Sequence, residues 1–343
     1  MTTAAPDGLL RVSFADLVER LTSALQRLGF DADNAALCAR LFAETTRDGV
    51  YTHGLRRFPR LEAMVRSGLI QPNARPERIA HFGALERWDG RLGPGNVNAW
   101  RSMERAIELA RERGIGCVAL ANTNHWMRGG SYGWQAAEAG FIGLCWPNTL
   151  PNLPPWGGTQ PRVGNNPLVL AVPRSAGPLV LDIAMSQFSY GALEAYRVRG
   201  EDLPVVGGFD AEGQLTRDPG AIEATNRALP IGFWKGAGLS FMLDVIGAIL
   251  SGGQATCEIP PDSLREAGVT QVFVAIGPGG VFGRNADQLA DEAIAFLKSS
   301  QPAPGAHIRY PGEQTLKIRA ENLARGIPVD RPLWEELLSL QRL

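Results

Sequence analysis

The sequence predicts an α/β (α+β) fold in which a central mixed-sheet domain joins a helical domain formed from both chain ends. Both ends carry amphipathic runs with apolar residues at three- and four-residue spacing, whereas the middle alternates such runs with short apolar stretches of strand length. No G-x-G-x-x-G turn links a strand to a helix, so the sheet is expected to be of a non-Rossmann kind. The nearest candidates, GRLGPG at 90–95 and GPGG at 277–280, lack the spacing and the strand–helix setting. The expected division is 1–78 with 300–343 as the helical domain and 79–299 as the central α/β domain.

Ser13 can cap a first helix, with Asp16 as its reciprocal partner; Leu17, Leu21, Leu25 and Leu28 follow, and Gly29 stops the run. Asp33 is expected to begin a second helix through Ala36, Cys38, Leu41 and Phe42. Gly49 and Gly54 break the periodicity, and a third helix starts near Pro59. A good helix spans 97–113 and is stopped by Gly114. Residues 115–121 read as a strand that runs into a polar turn, NTNH. A small-residue helix (132–139), a strand IGLCW and a Pro-rich loop (147–158) come next. Two β-type runs, 168–172 and 179–183, are split by Pro173 and Gly177 and read as a hairpin. An apolar helix (236–250) and the strand TQVFVAIG precede three tail helices (286–297, 313–325, 333–340), expected to pack on the N-terminal ones.

Composition narrows the function classes. Formal net charge is −1, which leaves no global field for nucleic acid or an anionic membrane surface. No stretch reads as a membrane span, and the first seven residues lack a signal-peptide layout. Cys38, Cys117, Cys145 and Cys257 are scattered among apolar neighbours and read as reduced core thiols of a cytoplasmic protein. Lysine is rare: Lys235, Lys298 and Lys317 are the only ones among 34 basic residues.

Of the four histidines, His53 stands between Thr52 and Gly54, with Arg56 and Arg57 close behind. Nearby cations disfavour imidazolium, so such a histidine exchanges its proton readily near neutral pH, and the arginine suits a carboxylate. The alternative is a histidine at a helix C-terminus that simply favours the dipole. His125 follows a strand end, where ligand sites gather, and is otherwise a turn histidine. Neither has the third donor a metal needs, so no metal is expected. Lys235, in G-F-W-K-G-A-G-L, adds a cation at a helix start suited to a phosphate; the alternative is an ordinary loop lysine. Asp182, the only charge in LVLDIAMS, reads as a turn cap or as a buried hydrogen-bond acceptor, to a ribose or a catalytic group.

The segments 46–60 (TRDGVYTHGLRRFPR), 124–138 (NHWMRGGSYGWQAAE), 154–157 (PPWG) and 163–168 (VGNNPL) resemble the malate/L-lactate dehydrogenase-like oxidoreductases. So do 186–191 (SQFSYG), 203–210 (LPVVGGFD) and 233–238 (FWKGAG), in order along nearly the whole chain. The resemblance implies a homodimer with a nicotinamide-binding fold of its own. It implies His53 as proton donor, Arg57 as substrate clamp and His125 beside the substrate. It places the cofactor, NADH or NADPH, along Pro178, Leu179, Val180, Leu181, Asp182, Ile183 and Ala184. Trp234, Lys235, Gly312, Glu313 and Gln314 complete that implied site. The implied substrate is a 2-oxo sugar acid, another 2-oxo or imino acid, or a 2-hydroxy acid oxidised in reverse. A nucleotide-binding protein without catalysis is the alternative from another class, and its sign would be a damaged His53 or Arg57. Two departures stand out: Thr52 where the family usually has Ser, and Asn165 where it has Thr.

Overall fold

In the computed structural model the described residues are 3–4, 9–262, 265–277 and 285–340; residues 278–280 of the GPGG motif lie outside them. The chain opens with strands β1 (Thr3–Ala4) and β2 (Leu9–Val12), then helices α1 (Phe14–Arg27), α2 (Ala32–Arg47) and α3 (Phe58–Arg66). Two 3-10 turns, Tyr51–His53 and Leu55–Arg57, separate α2 from α3. Then come β3 (Glu77–Phe82), β4 (Leu85–Asp89), α4 (Gly95–Arg113), β5 (Ile115–Asn124), α5 (Gly130–Glu138) and β6 (Ile142–Pro147). The next elements are β7 (Pro151–Leu153), β8 (Val163–Gly164), β9 (Leu168–Val172), β10 (Leu179–Ile183) and α6 (Tyr190–Arg199). After β11 (Gly208–Phe209), β12 (Leu215–Thr216) and α7 (Pro219–Thr225) runs the long α8 (Trp234–Ser251). The chain closes with β13 (Ala267–Ile276), α9 (Ala286–Lys298), α10 (Glu313–Arg325), β14 (Ile327–Asp330) and α11 (Arg331–Ser339).

Seven strands form one sheet in the order β10-β9-β6-β13-β5-β4-β3. Only β4 and β5 run parallel, and α4 supplies the crossover between them; every other neighbouring pair is antiparallel. The sheet is therefore mixed, with none of the consecutive parallel strands of a doubly wound nucleotide fold. Side chains alternate across it. Phe273 and Ala275 of β13 join Val118 and Leu120 of β5 in a buried cluster under α4 and α5. On the other face Gly247 of α8 meets Thr270, Val272 and Trp146.

Both chain ends contribute to a second buried cluster. Leu17, Leu21 and Leu25 of α1 pack with Phe42 of α2, Leu61 of α3, Ile327 and Val329 of β14 and Trp334 of α11. Leu17, Leu21 and Leu25 are fully inaccessible, and burying each stabilises the fold by about 1.5–3 kcal/mol. β14 also pairs antiparallel with β2, which fastens the C-terminal segment to the N-terminal one. A third buried cluster brings together Leu153, Met185, Leu193, Leu203 and Ile222.

Several expectations need correcting. Asp31, not Asp33, caps α2, its carboxylate accepting from Asn34 N–H at 2.8 Å. The strand expected to end at 121 continues to Asn124, because β13 pairs with it through Asn124 despite a register shift. The Pro-rich loop contains β7, and the long helix starts at Trp234 rather than 236. α9 docks on the β9–β10 hairpin, where Asp291 pairs with Arg174 and Asp287 accepts from Ser175, rather than on the N-terminal helices. Cys257 is exposed rather than in the core. α8 is long and apolar enough by composition to cross a membrane. One side of it is nevertheless built into the core: Ser240 donates to Gly164 O at 2.5 Å, and buried Asp244 accepts from Asn148 and Thr256.

Gly95 begins α4 where a Cβ would lie 2.1 Å from the Asn124 carbonyl and 2.3 Å from that of His125. Backbone cannot yield as a side-chain tip can, and overpacking costs about 1–3 kcal/mol or more. Gly95→Ala should lower the urea midpoint accordingly; an unchanged midpoint would contradict the packing described.

Candidate active site

α2 ends at Asp48, and Gly49 reverses the chain at φ +83°. The backbone then presses so closely on α2 that a Cβ on Gly54 would sit 2.3 Å from Thr46 Oγ1. Leu55 N–H donates to that same hydroxyl at 3.0 Å. Held in this way, the first 3-10 turn presents His53, which is half-buried. The Thr52 hydroxyl lies 3.0 Å from His53 Nδ1. Its methyl is backed by Gly191, where a Cβ would come within 2.6 Å of it. Threonine thus keeps the hydroxyl contact, and its extra methyl is accommodated by a glycine.

His125 reaches the same place from the end of β5. Asn124 Nδ2 donates to the carbonyls of Leu92 and Gly93, and Gln271 donates to the Asn124 carbonyl. Met127, at φ +64°, turns the chain back so that its N–H donates to His125 Nδ1 at 3.1 Å. An accepting Nδ1 leaves the proton of the neutral ring on Nε2. The two imidazoles are stacked, with centroids 5.9 Å apart and planes 20° apart.

Cations surround this pair. Arg60 is tied to Glu266 at 3.0 Å, and Arg128 to Asp48 at 2.7 Å. The Arg57 guanidinium is half-buried, and no carboxylate among the described residues pairs with it. Burial first, and Arg60 second, push it down to about 10, against the opposing pull of Glu266. His53 is pushed down to about 4, by burial above all and then by Arg57, Arg128 and Arg60. Burial, Arg57, His53 and Arg60 also hold His125 well below the ordinary histidine range. The sequence suggested a histidine titrating near neutrality; crowding and three guanidiniums move it much further. These shifts favour the neutral form of both rings at pH 7, beside an arginine that pairs with no carboxylate among the described residues.

The implied cofactor residues lie along one border. β10 is an edge strand of the sheet, so one side of residues 179–183 faces no neighbouring strand among the described residues. Gly312, at φ +95°, caps α10 and lies against this strand: a Cβ there would be 3.1 Å from Pro178 O and from Val180 N. Val180 N–H donates to Pro311 O at 3.1 Å. Glu313 pairs with Lys298, and Gln314 follows it in the first turn of α10. Asp182 is solvent-exposed although protein crowds it. That crowding raises its carboxyl, opposed by Arg128 and by the Gly130 N–H that it accepts at 2.7 Å. Beyond Ala184 the chain pairs with residues 230–231, since Ile231 N–H donates to Met185 O at 2.8 Å. That pairing leads to exposed Trp234 and Lys235 at the start of α8. An edge strand, a glycine at a helix start and an exposed lysine suit a dinucleotide, whose phosphates need backbone N–H groups and positive charge. Asn165 spends its amide on the scaffold, Oδ1 accepting from Ser186 N–H at 2.8 Å.

Sequence reasoning did not single out Asp48, Arg128 or Glu266. The first two stand inside the quoted motifs, whereas nothing in the sequence around Glu266 signals its pairing with Arg60. Among the described residues no three His, Cys, Asp or Glu side chains cluster as metal ligands.

The family model for malate/L-lactate dehydrogenase matches residues 12–338. The chain is 46% identical over 333 residues to the 2,3-diketo-L-gulonate reductase of Citrobacter koseri, covering 96% of this chain and 100% of that one. A protein of the same name from Klebsiella pneumoniae is 45% identical over the same shares. Among solved structures, sulfolactate dehydrogenase from Methanocaldococcus jannaschii superimposes with a TM-score of 0.87 at 26% identity, covering 97% of this chain and 96% of that one.

His53 should titrate at about pH 4 in the free protein when followed by NMR of its ring. Arg57→Met removes a neighbouring cation and should move that midpoint upward. A midpoint in the ordinary histidine range, unmoved by the substitution, would contradict the electrostatics of the site.

Proposed function

The chain belongs to the malate/L-lactate dehydrogenase family of oxidoreductases, and from that premise we propose that it reduces 2,3-diketo-L-gulonate to 3-dehydro-L-gulonate with NADH. The observation that carries this reading is the half-buried Arg57, paired with no carboxylate among the described residues, four residues beyond a neutral His53 that stacks on His125. A desolvated guanidinium without a partner is a two-pronged receptor for a carboxylate. The curated relatives named above support the substrate class.

The bound nicotinamide would supply the hydride. Arg57 holds the acid end of the substrate, which places the adjacent ketone at the histidines. Negative charge builds on the carbonyl oxygen as it is reduced, and His53 relieves it by giving up a proton. The substrate carboxylate offsets Arg57, one of the cations that depress His53 in the free protein, so His53 gains its proton as the anion binds. His125, with its proton on Nε2, donates a hydrogen bond to the substrate. Run in reverse, the same geometry oxidises a 2-hydroxy acid, with neutral His53 as the base.

NADH rather than NADPH is favoured by Asp182, a carboxylate on the edge strand that suits a ribose hydroxyl better than a phosphate. Leu179, Val180, Leu181 and Ile183 would line the cofactor between Pro178 and Ala184, with Trp234 and Lys235 at one end and Gly312, Glu313 and Gln314 at the other. We assign residues 1–78 with 300–343 to one folding unit and 79–299 to another, in a homodimer in the cytoplasm. Exposed Phe241, Met242 and Ile249 on α8 supply an apolar face for a second copy.

With NADH and the diketo acid, His53→Ala should lose roughly 10²–10⁴ in kcat while still binding NADH. Arg57→Ala should lose affinity for the acid by about 2–5 kcal/mol, with NADH binding nearly intact. If His125→Ala abolishes turnover while His53→Ala keeps most of it, the proton donor has been misassigned.

A further inference from the structure

Asp48 is the C-cap of α2, where a carboxylate is disfavoured by the helix dipole, and only 2% of it is exposed. Three guanidiniums offset both penalties. Arg47 donates to it at 2.8 Å, Arg128 at 2.7 Å and Arg319 through a two-pronged pair at 2.8 and 2.7 Å. Burial alone would raise the carboxyl, but Arg319, Arg128 and Arg47 bring it down to about 2, so it stays charged.

The three arginines come from separate parts of the chain. Arg128 lies three residues past His125, and Asp48 lies five residues before His53. Arg319 belongs to α10, which starts at Gly312 against β10. Two further contacts dock α10 on the same loop. A Cβ on Gly49 would lie 2.8 Å from Ile318, and Asn322 donates to Arg47 O at 2.7 Å. The Arg319 guanidinium also stacks 4.3 Å over the buried ring of Trp134. Arg128 is itself buried, and its Nε has no acceptor among the described residues. That Nε and Asp182 both flank Gly130: a Cβ there would lie 3.3 Å from Nε and 2.9 Å from the Asp182 carboxylate. Charges thus alternate from Arg319 through Asp48 and Arg128 to Asp182, crossing from α10 to the edge strand.

We propose that Asp48 is a positioning residue: through Arg128 it sets the spacing of His53 and His125, and through Arg319 it fixes both to the helix and strand that take the cofactor. This rests on the reading of His53 as proton donor. Asp48 touches no reacting atom, and it acts by holding three segments at one distance. A buried ion network of this kind is high-stakes, since removing one partner leaves the others uncompensated.

The groups facing His53 are Thr52, Arg57 and Arg60 from its own segment and His125 and Arg128 from the segment after β5; Glu266 pairs with Arg60. Removing the Asp48 charge leaves Arg128 unscreened, which should lower the His53-dependent midpoint in the pH profile of kcat/KM. Removing the Arg128 charge should raise it. Steady-state kinetics of the full chain with NADH and 2,3-diketo-L-gulonate should therefore show Asp48→Asn and Arg128→Met shifting the midpoint in opposite directions. Displacing catalytic groups by about 1 Å can cost about 10²-fold, so kcat should fall by that order in Asp48→Asn. The KM for the acid should change little, because Arg57 is intact, and Asp48→Glu should recover part of kcat. Arg319→Gln spares the Arg128 pair and serves if Asp48→Asn does not fold; it should lower kcat and raise the KM for NADH together. Shifts in the same direction, or near-parental kcat in both Asp48→Asn and Arg319→Gln, overturn the proposal alone. A pH midpoint that survives in His53→Gln overturns the proton-donor assignment, and the proposal with it.

Discussion

A half-buried guanidinium that pairs with no carboxylate among the described residues is the constraint around which this site is organised. Arg57 cannot release its proton, and Arg60 beside it adds to the local positive potential. His53 and His125 must answer to that potential, and they do so by staying neutral in the free protein. A site of this kind has excess positive charge and two neutral rings. It is complementary to a small acid whose neighbouring atom gains negative charge during reaction.

Such a site needs a stiff frame, because Arg57, with no paired carboxylate among the described residues, would otherwise swing out to water. The frame is assembled from parts that are far apart in sequence. β5 brings His125, the 3-10 turn after α2 brings His53, and residues just before β13 bring Glu266 to steady Arg60. Several glycines permit the close approaches that this assembly requires, most visibly Gly54 against Thr46 and Gly95 against the carbonyls of Asn124 and His125. The edge strand and α10 meet at Gly312, so the border assigned to the cofactor is joined to the same frame.

Much of this was legible in the sequence wherever local rules decide the outcome. The amphipathic helices, the β9–β10 hairpin and the stop at Gly114 follow from periodicity and turn chemistry, and all three are present. The resemblance brought His53, Arg57 and His125 into one list, and the fold brings the two histidines to ring contact. What sequence could not supply was pairing between distant segments. The extension of β5 to Asn124 depends on its pairing with Ala267, far away in the chain, so local composition alone reads NTN as a turn. The hub at Asp48 needs Arg128 and Arg319, and neither position announces the other. The depth of the His53 shift likewise depends on Arg128 arriving from another element.

The central claim is that an anion on Arg57 returns to His53 the proton that the empty site withholds. Calorimetric titration of the protein with NAD⁺ present, adding a 2-oxo acid at mildly acidic pH in buffers of different ionisation enthalpy, measures proton exchange directly. Because the free-state value of His53 lies low and rises on binding, the titration should show uptake of up to about one proton per site. That uptake should vanish in His53→Gln. Binding with no uptake, or with the same uptake in His53→Gln, would contradict the coupling between the carboxylate clamp and the proton donor.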